Sequence, residues 1–205
     1  MAQRFIVAVE GLTELDFTKG AEEDIKKAAS QAINTTLRNK RARAAKLIRD
    51  QVNLPARYVS PSGKGLYVAK QASPGKLEGI IRARGRATSL AQFVQGSPRV
   101  GKAGVVVEVH PGKAKFLKRV FPIKLPQGSA DVATKYNLGL AIRLRPGEKL
   151  DRKVTARSVS KGLYVLYGPS VDQVFRSLDG SGVANDLVSE IERDLSEEFL
   201  RLLEL

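Results

Sequence analysis

The sequence predicts an α+β fold: a long N-terminal helical segment, an antiparallel sheet of about five or six strands, and a C-terminal amphipathic helix. Three observations predict it. Apolar residues recur at helical spacing near both ends of the chain. Between residues 81 and 166, short runs alternate with a period of two and no helical stretch intervenes. Finally, 205 residues with 42% hydrophobic content can close one core, so residues 1–205 are read as one domain.

Taken in order, Arg4 to Val9 reads as a short strand. A helix then begins near Gly20, with Glu22, Glu23 and Asp24 in its first turn, where the macrodipole favours anions. Ile25, Ala29, Ala32, Ile33, Thr36 and Leu37 hold helical spacing, and Ala44, Leu47 and Ile48 resume it until Asn53 and Pro55 stop it. This is one long helix or two abutting ones. Arg38, Arg41, Ala45 and Arg49 share the opposite face, a cationic ridge turned to solvent or to a partner. From about 56 to 76 the chain is rich in Ser, Pro and Gly, which predicts an extended loop or hairpin, or an arm.

The alternating runs that follow are Ile81–Ala87, Gly104–Val109, Lys115–Leu125, Leu138–Leu144, Lys153–Val159 and Gly162–Leu166. In the first, Arg82, Arg84 and Arg86 fall on a single face, where three guanidiniums repel unless an anion lies across them. In the fourth, Leu138, Leu140, Ile142 and Leu144 define a buried face, and the other face ends in Arg143 and Arg145. Pro122 puts its strand at an edge or bulge, because proline donates nothing to a ladder. From Asp186 onward, Leu187, Val188, Ile191, Leu195, Phe199 and Leu202 stripe an otherwise acidic helix, which core packing explains. Lys-Gly-Leu-Tyr-Val occurs at 64–68 and again at 161–165; five residues are too few to indicate duplication, and a strand starting after a glycine turn accounts for both.

Charge comes in blocks. The formal charge is +14, yet residues 38–161 hold 28 basic and six acidic side chains while both flanks are net acidic. Such a middle attracts nucleic acid, anionic membrane or acidic protein surfaces. The absence of cysteine excludes disulfides, thiolate metal sites and cysteine nucleophiles. No run approaches the roughly 20 apolar residues that a membrane helix needs, and the first residues lack the long apolar stretch of a secretory signal.

Catalytic patterns are weak throughout. Gly96 to Ala103 has P-loop spacing but puts Ala103 where Ser or Thr must hold magnesium, and the strand-like GVVVEV follows where a helix is required. Ser158-Val-Ser-Lys161 lacks the companion motifs of acyl enzymes. His110 is the only histidine. Between Asp50 and Asp172 the acidic side chains are Glu78, Glu108, Asp131, Glu148 and Asp151, too scattered to predict a metal nuclease. No catalytic residue, metal or cofactor is expected.

The segments AINTTLRNKRARAAKLIRDQVNLPARYV, KLEGIIRARGRATSLAQF, GVVVEVHPGK and, above all, GLYVLYGPSVDQVF are similar to successive blocks of the phage minor tail protein Z (tail completion) family. The likeness runs from about residue 20 to the end and is most specific at Tyr167–Val171. It marks Asn34, Thr36, Tyr167, Gly168, Pro169, Ser170 and Val171 as motif or interface positions. Threonine stands at 35, where the family commonly has arginine, and the segment 60–75 departs from the pattern. The resemblance implies a structural, non-enzymatic subunit that finishes the tail at its head-proximal end or neck. It would be assembled in the bacterial host cytoplasm, be part of the virion, and contact other tail or neck proteins. An acidic end and a basic middle favour head-to-tail contacts that close into a ring, with a hexamer as the first expectation. The Gly168-Pro169 pair is expected to stop a strand and turn the chain into the last helix.

A reading from a different class is a nucleic-acid-binding protein without catalytic activity. It would set Arg38, Arg41, Arg49, Arg82, Arg84, Arg86, Arg143 and Arg145 against phosphates, and contact with packaged DNA at the neck is compatible with both readings.

Overall fold

The computed structural model describes residues 4–8, 19–62, 65–96, 102–125, 138–152, 154–179 and 183–203. The element order is β1 (Arg4–Ala8), α1 (Lys19–Gln51), α2 (Ala56–Val59), β2 (Leu66–Lys70), β3 (Glu78–Ala83), β4 (Thr88–Ser89), a 3-10 turn (Leu90–Phe93) and β5 (Val105–Glu108). It continues with β6 (Ala114–Leu117), β7 (Val120–Lys124), β8 (Leu138–Arg143), β9 (Ala156–Ser160), β10 (Leu163–Gly168), α3 (Val171–Asp179) and α4 (Val183–Leu203). The class is α+β, as the sequence predicts.

α1 is one unbroken helix. Its stripe of Ala29, Ala32, Ile33, Leu37, Ala44 and Ile48 is buried, because those positions recur every three or four residues and meet both a sheet and a helix. Glu22 sits in the first turn and pairs with Lys26 one turn on. Beyond Gln51, Asn53 ties the chain to the end of β5: its backbone N–H donates to the Val109 carbonyl at 2.9 Å and its side-chain amide to the Glu108 carbonyl at 3.1 Å.

The expected antiparallel sheet of about five strands forms, and two smaller antiparallel sheets accompany it. The order is β1-β3-β2 in one, β4-β10-β8-β7 with β9 also on β10 in the largest, and β5-β6 in the third. The first lies on α1 so closely that a Cβ on Gly79 would sit 2.0 Å from Leu37 Cδ1. α1, α2, α3, α4 and this sheet enclose the larger core, from Ile33 and Leu37 through Tyr58 and Leu66 to Phe175 and Ile191. A smaller core of Val105, Val107, Val120, Leu140 and Leu166 belongs to the other two sheets.

Several expectations change in detail. The region around 56–76 contains α2 and β2, and Tyr58, Val59 and Leu66 are buried in the larger core, so hairpin pairing of β2 with β3 accounts for the segment. Lys115–Leu125 is two strands, because the chain turns at Lys118 and Arg119. Pro122 does lie on an edge strand, opposite Leu140. β8 is covered on both faces at its centre, where Leu140 and Ala141 are each 0% exposed, since β8 is an inner strand and Leu125 packs against Gly139. The Gly168-Pro169 turn leads into α3, an amphipathic helix not anticipated, and only then into α4. Both Lys-Gly-Leu-Tyr-Val copies enter strands, β2 and β10.

Candidate functional site

The most specific motif block, Tyr167 to Val171, is a corner between the two cores. Tyr167 pairs opposite Ser89, its N–H donating to the Thr155 carbonyl at 2.9 Å, and Gly168, opposite Thr88, ends the pairing of β10. Gly168 is required sterically: a Cβ there would lie 2.6 Å from Cε2 of the buried Phe93 ring. After Pro169, Ser170 caps α3. Its Oγ accepts the Gln173 N–H at 3.0 Å, and Gln173 Oε1 accepts the Ser170 N–H at 2.8 Å, a reciprocal box that satisfies two orphan donors. Val171 then enters the larger core fully buried.

The other motif positions also act within the chain. Asn34 clamps the β2–β3 connection, its Nδ2 donating to the Ala72 carbonyl at 3.0 Å and its Oδ1 accepting the Ala72 N–H at 2.9 Å. Thr36 is 1% exposed on the inner face of α1.

Beside the corner opens a groove of about 760 Å³. The end of α1 (Gln51, Val52), Val109 and His110 after β5, Leu117, Val120, Ile142, the loop residues Leu150 and Val154, Leu166 to Pro169, and α3 form its walls. Several of its polar groups are already engaged: Ser177 Oγ donates to Gln51 Oε1 at 2.9 Å, His110 Nδ1 lies 3.0 Å from the Gln51 carbonyl, and Gln173 holds the helix cap. Apart from His110, no described lining residue is ionisable at neutral pH, so the groove presents chiefly carbon.

The cationic positions do not gather into one surface. Strand β3 ends at Ala83, so the alternation that would align Arg82, Arg84 and Arg86 does not extend past it. Arg84 is half-buried, with its guanidinium 5.2 Å from the Tyr58 ring centre, a cation–π contact, and its carbonyl accepts the Asp172 N–H. On α1, Arg38 and Arg49 are exposed, but Arg41 donates to the Val59 carbonyl at 3.1 Å, and burial lowers its pKa. The ridge is thus interrupted at Arg41. Arg143 and Arg145 are exposed at the end of β8, where their backbone joins a network around Glu148. Glu148 binds the Arg119 guanidinium, with one contact at 2.9 Å, and accepts the Arg145 N–H, which together hold its pKa down at about 2.

One charged cluster escapes the sequence reading. Lys40, 5% exposed, reaches Asp194 at 2.7 Å and Glu190 at 3.2 Å on α4, and this lysine contact depresses the Asp194 pKa. The signal was present: Lys40 interrupts the apolar stripe between Leu37 and Ala44, and Glu190 and Asp194 stand one helical turn apart. Part of the charge opposition between middle and end is therefore met inside the chain.

Elsewhere, Glu78 pairs with Lys70 and Lys76, while Glu108 accepts the Gly112 N–H. Among the described residues no three His, Cys, Asp or Glu side chains cluster as a metal site, and no helix is long and apolar enough to cross a membrane. The P-loop-like run lies mostly outside the described residues, and β5 follows it. No family model, curated protein or solved structure matches the chain.

Proposed function

We propose that this chain is a structural subunit of a phage tail or neck, a tail completion protein that acts by assembly into the virion. The observation that carries the reading is the groove beside Tyr167–Pro169. It is chiefly apolar and several of its polar groups are held within the chain, which suits a macromolecular contact better than a reaction. The residues of closest resemblance shape it: Gly168 and Pro169 line it, and Ser170 and Val171 fix the helix that forms one wall. Electron microscopy of particles made without the protein is the test. Unjoined or defective tails are expected, and normal infectious particles would overturn the reading.

One observation favours nucleic-acid binding as the second reading. The described residues of 102–168 carry twelve basic and three acidic side chains, an excess that internal pairing does not remove. Binding by this surface falls steeply with salt, as counterions are released from phosphates. Filter binding across an ionic-strength series separates the readings: salt-sensitive retention of DNA supports the second, and none at physiological salt removes it.

A further inference from the structure

We infer that the groove receives the C-terminal end of α4 from a second copy of the chain, so that copies join head to tail. The inference rests on the assembly reading and names the surfaces involved.

Direction comes first. α4 runs antiparallel to α1, since Lys40 meets Glu190 and Asp194 while Thr35 and Arg38 share a cleft with Glu198 and Arg201. The end of α4 therefore lies beside the first half of α1, and the groove begins at Gln51 and Val52, at the other end. Thirteen to twenty helical residues separate these places on α1, about 20–30 Å at the rise of an α-helix. A chain cannot fill its own groove without tearing α4 from its cleft. Two different surfaces set well apart along one helix are what a heterologous contact uses, and such contacts close into rings when the rotation permits.

The surfaces also match in chemistry. Leu200 and Leu203, three residues apart on α4, are 57% and 44% exposed, an apolar tip left uncovered by the described residues. Of the acids at this end of α4, Asp194 is held by Lys40 and Glu198 by Arg201, which leaves Glu197, 71% exposed, as the outward carboxylate. The groove offers the converse: a carbon-lined hollow within the cationic half, with exposed Lys118, Lys149 and Arg152 beside its lining residues Leu117 and Leu150. Apolar burial supplies the attraction, and the charges select orientation.

Sedimentation velocity on the full chain, over a concentration series at low and high salt, tests the contact. The wild type associates, and more weakly at high salt. Val154→Glu, at a 42% exposed groove position, and the double variant Leu200→Glu with Leu203→Glu each weaken association by ten-fold or more, with unchanged thermal melts. An equimolar mixture of the two forms a heterodimer that grows no further, because each partner brings one intact surface. Should Val154→Glu lower the melting temperature, Lys149→Glu with Arg152→Glu replaces it, again expected to weaken low-salt association. A wild type that stays monomeric at every concentration overturns the contact, and so does association that survives either variant, a mixture that stays monomeric, or assembly that requires added DNA. None of these outcomes touches the virion reading, which fails only if particles lacking the protein are normal.

Discussion

In the helical half of the molecule, Lys40 is matched by Glu190 and Asp194, and Lys70 by Glu78. In the sheet half, twelve cations stand against three acids among the described residues of 102–168, and even the strongest pairing there, Arg119 with Glu148, is exposed. The cores differ in the same sense. Nineteen buried residues close around α1, whereas five form the core of the larger sheet and its neighbouring ribbon, which leaves a groove open. One half pairs part of its charge internally and closes its apolar residues around α1; the other carries the larger charge surplus and uncovered carbon that other molecules can meet. Assembly surfaces belong where internal satisfaction is lowest.

That contrast can be broken most severely at Gly65, where a Cβ would stand 1.4 Å from the Tyr58 carbonyl oxygen. Gly65→Ala is expected to cost about 4 kcal/mol, because backbone rather than a movable side chain is in the way. Chemical denaturation measures it, and a loss under 1 kcal/mol would contradict the packing of α2 on β2. Next comes the internal ion cluster. Glu190→Gln with Asp194→Asn strands a buried lysine and should destabilise by about 3 kcal/mol, whereas Lys40→Met should cost less, since both carboxylates are a third exposed and can hydrate. Equal losses for the two variants would mean that the burial of Lys40 is unimportant.

The same cluster sets a pH dependence. Asp194 has a depressed folded pKa, so its contribution is complete above the ordinary aspartate range and is lost as the pH falls through the depressed value, below about pH 4. Asp194→Asn should flatten that acid limb in a series of denaturation midpoints against pH; an unchanged limb would assign it to other carboxylates. At the seam between the halves, Ser170→Ala removes the α3 cap and should cost about 1 kcal/mol, with Ser170→Thr close to wild type. The smallest effect is expected in the sheet half. Arg119→Ala breaks an exposed pair, so the melting temperature should scarcely move while Glu148, released from the guanidinium, titrates nearer an ordinary glutamate in an NMR pH series.

How much was legible depends on how local each cause is. α1 and α4 were readable because their apolar residues repeat at the helical period, and Pro122 announced an edge because proline lacks a donor whatever its surroundings. α3 was missed although Val171, Val174, Phe175 and Leu178 keep helical spacing, because nine residues after a Gly-Pro turn give little pattern to see. The alignment of Arg82, Arg84 and Arg86 failed because alternation holds only while a strand continues, and where β3 ends is set by Tyr58, Gly65 and α3. Of the candidate site, the corner at Gly168–Ser170 was expected as a turn, but the groove beside it was not, since its walls come from distant parts of the chain between Gln51 and Ser177.

The sequence by itself determined the α+β class, a long first helical segment, an edge or bulge at Pro122 and the confinement of positive charge to the middle, all of which follow from spacing, residue type or counting along the chain. Only the tertiary structure decided that Lys40 is neutralised by α4, that Gly168 must yield to Phe93, that two smaller sheets accompany the expected one, and that the groove and the exposed end of α4 lie well apart along α1. The physical reason is that burial, pairing and steric exclusion are properties of residues brought together from distant positions, and a one-dimensional pattern carries no record of which distant positions will meet.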